Sequence, residues 1–153
     1  MERKGQAAME FLMTYGWAIL AAIIAIGVLA YFGVFSPGKF TPSATVVNPP
    51  FYANAWNMLN GAGTVSLELK NNGGETLTVN NVAVAVTDGA AGCTPTGSLG
   101  SVAPSATITA ILTCTTMDAA GQPFKGDITI TYIKSGSNLN LTSTGTIAGT
   151  IAP

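Results

Sequence analysis

Histidine is absent from this 153-residue sequence, and charge is scarce: only 8% of the residues are Asp, Glu, Lys or Arg, against about 25% in ordinary soluble domains. The first absence removes the commonest general base and the commonest metal ligand. The net charge of −1 leaves no electrostatic footprint for nucleic acid. There are only two cysteines, Cys93 and Cys114, far apart and outside any C-x-x-C pattern, too few to build a zinc or iron–sulfur site alone. Proline does not occur before Pro37, and from Phe11 to Gly38 there is no charged residue at all.

That charge-free stretch is the most informative thing present. Phe11–Phe35 is apolar on every side, so it is no one-sided surface helix. At 1.5 Å per residue it makes a helix of roughly 37 Å, enough to cross a hydrocarbon core of about 30 Å. With no proline inside it, the sequence predicts one unbroken helix. Tyr15 and Trp17 near one end and Tyr31 near the other are placed as in an aromatic belt. Arg3 and Lys4 precede the segment, which orients the N-terminus to the cytoplasm and the C-terminal bulk outside. A secretory signal peptide would have a shorter apolar region and a small-residue exit site. A plain membrane anchor accounts for everything except Glu10, a carboxylate just inside the leading edge, unless that acid merely rests at the interface.

A third explanation accounts for Glu10 as well. Lys4-Gly5-Gln6-Ala7-Ala8-Met9-Glu10-Phe11-Leu12 resembles the class III signal peptide of archaeal type IV pilins: a short basic leader ending in Gly, then Gln, then Glu four residues on, then a long apolar helix. Ala8 stands where that family often has Ser, and Met13–Leu20 also looks like sequences common in archaeal pilin-like proteins. The resemblance implies that a prepilin peptidase cuts between Gly5 and Gln6 on the cytoplasmic side and that the helix stays on the mature protein. It also implies as partners copies of the same chain, a pilus assembly ATPase with its membrane platform proteins, and membrane lipid before assembly. Cleavage removes Arg3 and Lys4 and leaves a new α-amino group on Gln6, about one helical turn from Glu10, its opposite in charge. In a filament each of these two charges could pair across neighbouring subunits, neutralising a buried acid and setting register. Lipid and a filament core are equally apolar, so association depends on close packing, to which the small residues Ala18, Ala22 and Ala25 on one helix face are suited. An archaellin fits less well, because the leader lacks the Gly that family places just before the matching Glu.

Ser36-Pro37-Gly38 is a breaker that should end the helix, and the four prolines between Pro37 and Pro50 mark an extended connector with an edge strand around Thr45–Val47. Beyond it the apolar period becomes two. Val65, Leu67 and Leu69 alternate with Ser66, Glu68 and Lys70; Asn71-Asn72-Gly73-Gly74 is a turn; Leu77 and Val79 resume, and Val82, Val84 and Val86 continue in a second register. Ile108 with Ile111-Leu112, Ile128-Ile130-Tyr132, the turn Ser135-Gly136-Ser137, and Leu139, Leu141, Ile147 and Ile151 extend the series. The expected fold is α+β: one long N-terminal hydrophobic helix, then an all-β, immunoglobulin-like antiparallel sandwich, the lollipop form of pilins. The expected organisation is a leader over 1–5, the helix over 6–36, a linker over 37–50 and an extracellular β-domain over 51–153.

Outside the cell Cys93 and Cys114 are expected to form a disulfide, two separate buried thiols being the alternative. Asn140-Leu141-Thr142 is the only N-x-[ST] triplet and a candidate N-glycosylation site. Chemistry is not evident. Glu68, Glu75, Asp88, Asp118 and Asp127 are scattered, the serines lack a triad histidine, and no glycine-rich motif joins a strand to a helix. No catalytic residue, cofactor or metal is expected. Trp56 is either core or an exposed adhesive contact. The sequence therefore points to a structural subunit of an adhesive, pilus-like surface filament. A monomeric membrane-tethered β-domain that binds a ligand is the alternative, as is a minor or pseudopilin subunit.

Overall fold

The computed structural model describes residues 2–35, 42–87, 92–95 and 99–153. They fall into two compact units, 1–37 and 38–153.

The first unit is helix α1, Glu2–Tyr31, continuous through the apolar stretch. Thr14 turns its hydroxyl back to donate to the Glu10 carbonyl at 2.9 Å, an internal outlet for a polar group in an apolar run. The helix stops earlier than Pro37. Gly33 takes φ 70°, a left-handed conformation that suits a residue without Cβ. Its N–H donates to the Ala30 carbonyl at 3.0 Å, and the Val34 N–H donates to Leu29 at 3.1 Å. Together these bonds make a Schellman cap that satisfies carbonyls the helix end would otherwise leave unpaired. The expected boundary at residue 36 is thus corrected to Tyr31: a glycine cap ends α1. The breaker Ser36-Pro37-Gly38 lies outside the described residues.

Among its described residues the second unit has nine strands: β1 Ala44–Val47, β2 Phe51–Leu59, β3 Thr64–Asn71, β4 Leu77–Val86, β5 Cys93–Pro95, β6 Gly100–Val102, β7 Thr107–Cys114, β8 Pro123–Lys134 and β9 Asn140–Thr150. Every named pairing is antiparallel. The sequence expectation was two stacked sheets, but the hydrogen bonds describe one sheet in the order β1-β9-β8-β4-β5-β7-β3-β2, with β6 alongside β4. Two groups of four strands, β1-β9-β8-β4 and β5-β7-β3-β2, are joined where β5 pairs with both β4 and β7. On the far side the sheet nearly closes: the Asn60 N–H donates to the Ala152 carbonyl at 3.0 Å and the Ala152 N–H to the Met58 carbonyl at 2.8 Å. The result is close to a barrel, and the physical cause is the three-residue β5, which fills the gap through which a sandwich would stay open.

Alternation places the core. Val65, Leu67 and Leu69 of β3 are fully buried while Thr64, Ser66, Glu68 and Lys70 face outward. Ile128, Ile130 and Tyr132 of β8 and Ile147 of β9 do the same from the opposite group. In β4 the ladder to β8 shifts between Val79 and Asn81, a β-bulge that returns Val82 and Val84 to the inner face after Leu77 and Val79. This is the second register visible in the sequence. Phe51 meets Tyr132 edge to face with ring centroids 5.2 Å apart, and Trp56 is partly buried against the same core.

Asn71 continues the inward phase of β3 and is completely buried. Its Nδ2 donates to the carbonyls of Glu75 (2.8 Å) and Val102 (3.0 Å), and its Oδ1 accepts from the Gly73 N–H (2.8 Å). Its backbone N–H donates to Ala106, and its carbonyl accepts from Ser105. Side chain and backbone of this one residue thus hold the passage from β3 to β4, which are not neighbours in the sheet, against β6 and the entry to β7.

Candidate functional site

Gly5, Gln6 and Glu10 all lie on the first turns of α1. Gln6 and Glu10 are four residues apart and so share a face, and both are exposed. The Gly5–Gln6 bond sits within continuous helix, with open space where a Cβ at Gly5 would be. Residues Gly5–Tyr31 are long and apolar enough to cross a membrane. Their apolar side chains are exposed along the whole length, as with Trp17 at 72% and Tyr31 at 86%. Ala18, Ala22 and Ala25, at positions i, i+4 and i+7 of one unbroken helix, share a face. Phe11 stacks on Tyr15 at 4.8 Å between centroids.

In the β-unit the structure brings Cys93 and Cys114 together. They are register partners on β5 and β7, and they form a disulfide. Such a bond fits an extracellular domain. Asn140 is the first residue of β9 and is exposed. Its Oδ1 accepts from the Asn80 Nδ2 at 3.1 Å, which leaves the Asn140 amide nitrogen pointing away from that contact.

The acids stay apart. Glu68 accepts a hydrogen bond from Asn54. Glu75 pairs with Lys134 at 2.8 Å on the surface, and that carboxylate raises the Lys134 pKa above its ordinary 10.5 through its hydrogen bond and charge. Asp118 and Asp127 stand elsewhere, and Asp88 lies outside the described residues. Among the described residues there is no group of three His, Cys, Asp or Glu side chains placed to hold a metal ion.

No protein-family model matches this chain, and no curated protein matches it by sequence.

Two features escaped the sequence reading. Asn71 was legible only as part of a turn, because burial is not a property of Asn-Asn-Gly-Gly. A groove on the outer face of β1, β9 and β8 is built by Val46 and Asn48 with residues 127–129 and 144–146, none of which forms a sequence motif.

Proposed function

We propose that the chain is a structural subunit of a type IV-like pilus, trimmed between Gly5 and Gln6 and polymerised through α1. The observation that carries this is the placement of Lys4-Gly5-Gln6 and Glu10 against the start of a long apolar helix whose side chains are open to their surroundings. A helix of that kind has to be covered, by lipid or by copies of itself. Glu10 is what a plain anchor does not require. In the filament α1 helices would form the core, Ala18, Ala22 and Ala25 would permit close approach, and Glu10 would face the Gln6 amine of a neighbour. The β-unit, outside the cell and held by Cys93–Cys114, would form the adhesive exterior, with Asn140 as a sugar acceptor. The immunoglobulin-like relationship of the β-unit belongs to the same proposal and rests on strand number and spacing.

The test is electron microscopy of fibres sheared from cells, with N-terminal sequencing of their subunit. The expected result is filaments of this chain beginning at Gln6. A mature chain beginning beyond Phe35, or one that stays solitary in the membrane fraction, overturns the proposal; the second outcome would instead fit a tethered binding protein.

A further inference from the structure

The outer face of β1, β9 and β8 carries a groove of about 350 Å³, within the size range of small-ligand sites. Strand register sets its layout. Thr146 lies between Val46 on β1 and Asp127 on β8, and in the next row Thr144 pairs with Thr129. Neighbouring strands are about 4.8 Å apart and alternate residues of one strand about 6.7 Å apart, so the groups form a grid on the scale of one sugar ring. Gly145, which also lines the groove, sets how closely the strands lie: a Cβ there would come within 2.3 Å of the Val46 carbonyl oxygen and 2.9 Å of the Val47 Cα, so only glycine lets β1 lie this close to β9.

One wall is preorganised. The Asn48 N–H donates to the Thr144 carbonyl at 2.9 Å, its Nδ2 donates to the Thr144 Oγ1 at 3.1 Å, and its carbonyl accepts from the buried Ser143 Oγ at 2.7 Å. Asn48 is therefore held with its Oδ1 uncommitted. Opposite it, the Asp127 carboxylate and the hydroxyls of Thr129 and Thr146 make no hydrogen bond or ion pair with other described residues. Val46, 62% exposed, adds an apolar surface beside them.

We propose that this groove binds a neutral saccharide unit. Its hydroxyls would donate to Asp127 and Asn48 Oδ1 and exchange hydrogen bonds with Thr129 and Thr146, while a C–H face would lie on Val46. A single carboxylate among hydroxyls is a poor site for a divalent cation, which takes six to eight oxygens and usually several carboxylates. Sugar hydroxyls match it better, since each can both donate and accept. With no aromatic ring in the groove the affinity is weak, about 1 mM. The inference rests on the β-unit alone and stands or falls apart from the filament reading.

The test uses the full chain in alkylphosphocholine micelles, because glycoside detergents would compete. A panel of neutral methyl hexosides and N-acetylhexosaminides is titrated while backbone amide resonances are followed. At least one glycoside should shift Asn48, Thr129, Thr144 and Thr146 saturably. Asp127→Asn and Thr129→Val, both at exposed positions, should leave the thermal melt unchanged; Asp127→Asn should weaken the response about tenfold, the loss of a charge-assisted hydrogen bond, and Thr129→Val about fivefold, the loss of a neutral one. The proposal is overturned if no glycoside moves these resonances at about 50 mM, if Asp127→Asn responds like the parent chain, or if only butylammonium or calcium ions produce the shifts.

Discussion

Replacing Asn71 by Ala should cost the β-unit roughly 3 kcal/mol. The side chain is completely buried and makes three hydrogen bonds, two donated by Nδ2 to the Glu75 and Val102 carbonyls and one accepted by Oδ1 from Gly73. Each such bond contributes about 1 kcal/mol net, and removing the side chain also strands two carbonyls and an N–H where water enters poorly. Asn71→Asp should be worse than Ala: it turns the two-donor group into an anion facing two carbonyl oxygens in a buried site. The measurement is urea unfolding of the full chain in micelles, followed by Trp56 fluorescence in a Trp17→Phe background, since Trp56 packs on the core and Trp17 lies on α1. The expected order of stability is Asn, then Ala, then Asp. A loss below about 1 kcal/mol for Ala would mean that the corner is held by its backbone bonds alone. An Asp variant as stable as Ala would mean that the amide nitrogen does not face those carbonyls.

Other consequences follow from the same structure. Reducing Cys93–Cys114, or replacing both with Ser, should lower stability by about 3 kcal/mol in the chain-entropy model for a separation of 21 residues; thermal melts with and without a thiol reductant measure this. Gly145→Ala should lower stability by about 2 kcal/mol through overpacking against β1 backbone and should broaden amide resonances of Ala44–Val47 before those of β8. Lys134 has its pKa raised by Glu75, so this pair's contribution is fully present below pH 10.5 and is lost as pH rises through the raised value. Glu75→Gln should therefore flatten the alkaline limb of the stability profile, and salt should shrink the difference because the pair is exposed. Under the filament proposal, Glu10→Ala chains cut after Gly5 should fail to form regular filaments; normal fibres from them would refute the proposed register role of that acid.

Much of the fold was readable along the chain. The period-two stretches from Val65 to Leu69, Leu77 to Val86 and Ile128 to Tyr132 became β3, β4 and β8, and even the phase change between Val79 and Val82 marked a real bulge. Three strands were not readable. In β2, Phe51–Leu59, alternation is broken by a register shift between Ala53 and Ala55 and diluted by Asn and Ala. β5 and β6 have three residues each, too few to show a period. The helix end was misplaced because Pro37 is the louder punctuation, yet Gly33 reaches the left-handed conformation first. The groove left no trace in sequence because its groups come from three strands and meet only through register.

Sequence alone determined the apolar helix and the alternating strands, since each depends on residues close along the chain and on side chains preferring lipid or water. It also pointed to the Cys93–Cys114 disulfide, which the structure forms. Tertiary structure decided that the strands form one nearly closed sheet, that Asn71 is an interior tie rather than a surface turn, and that Asp127 and Asn48 share a groove. Those outcomes depend on which strand edges meet, and that is fixed by hydrogen bonding and packing between segments as far apart as residues 48 and 144.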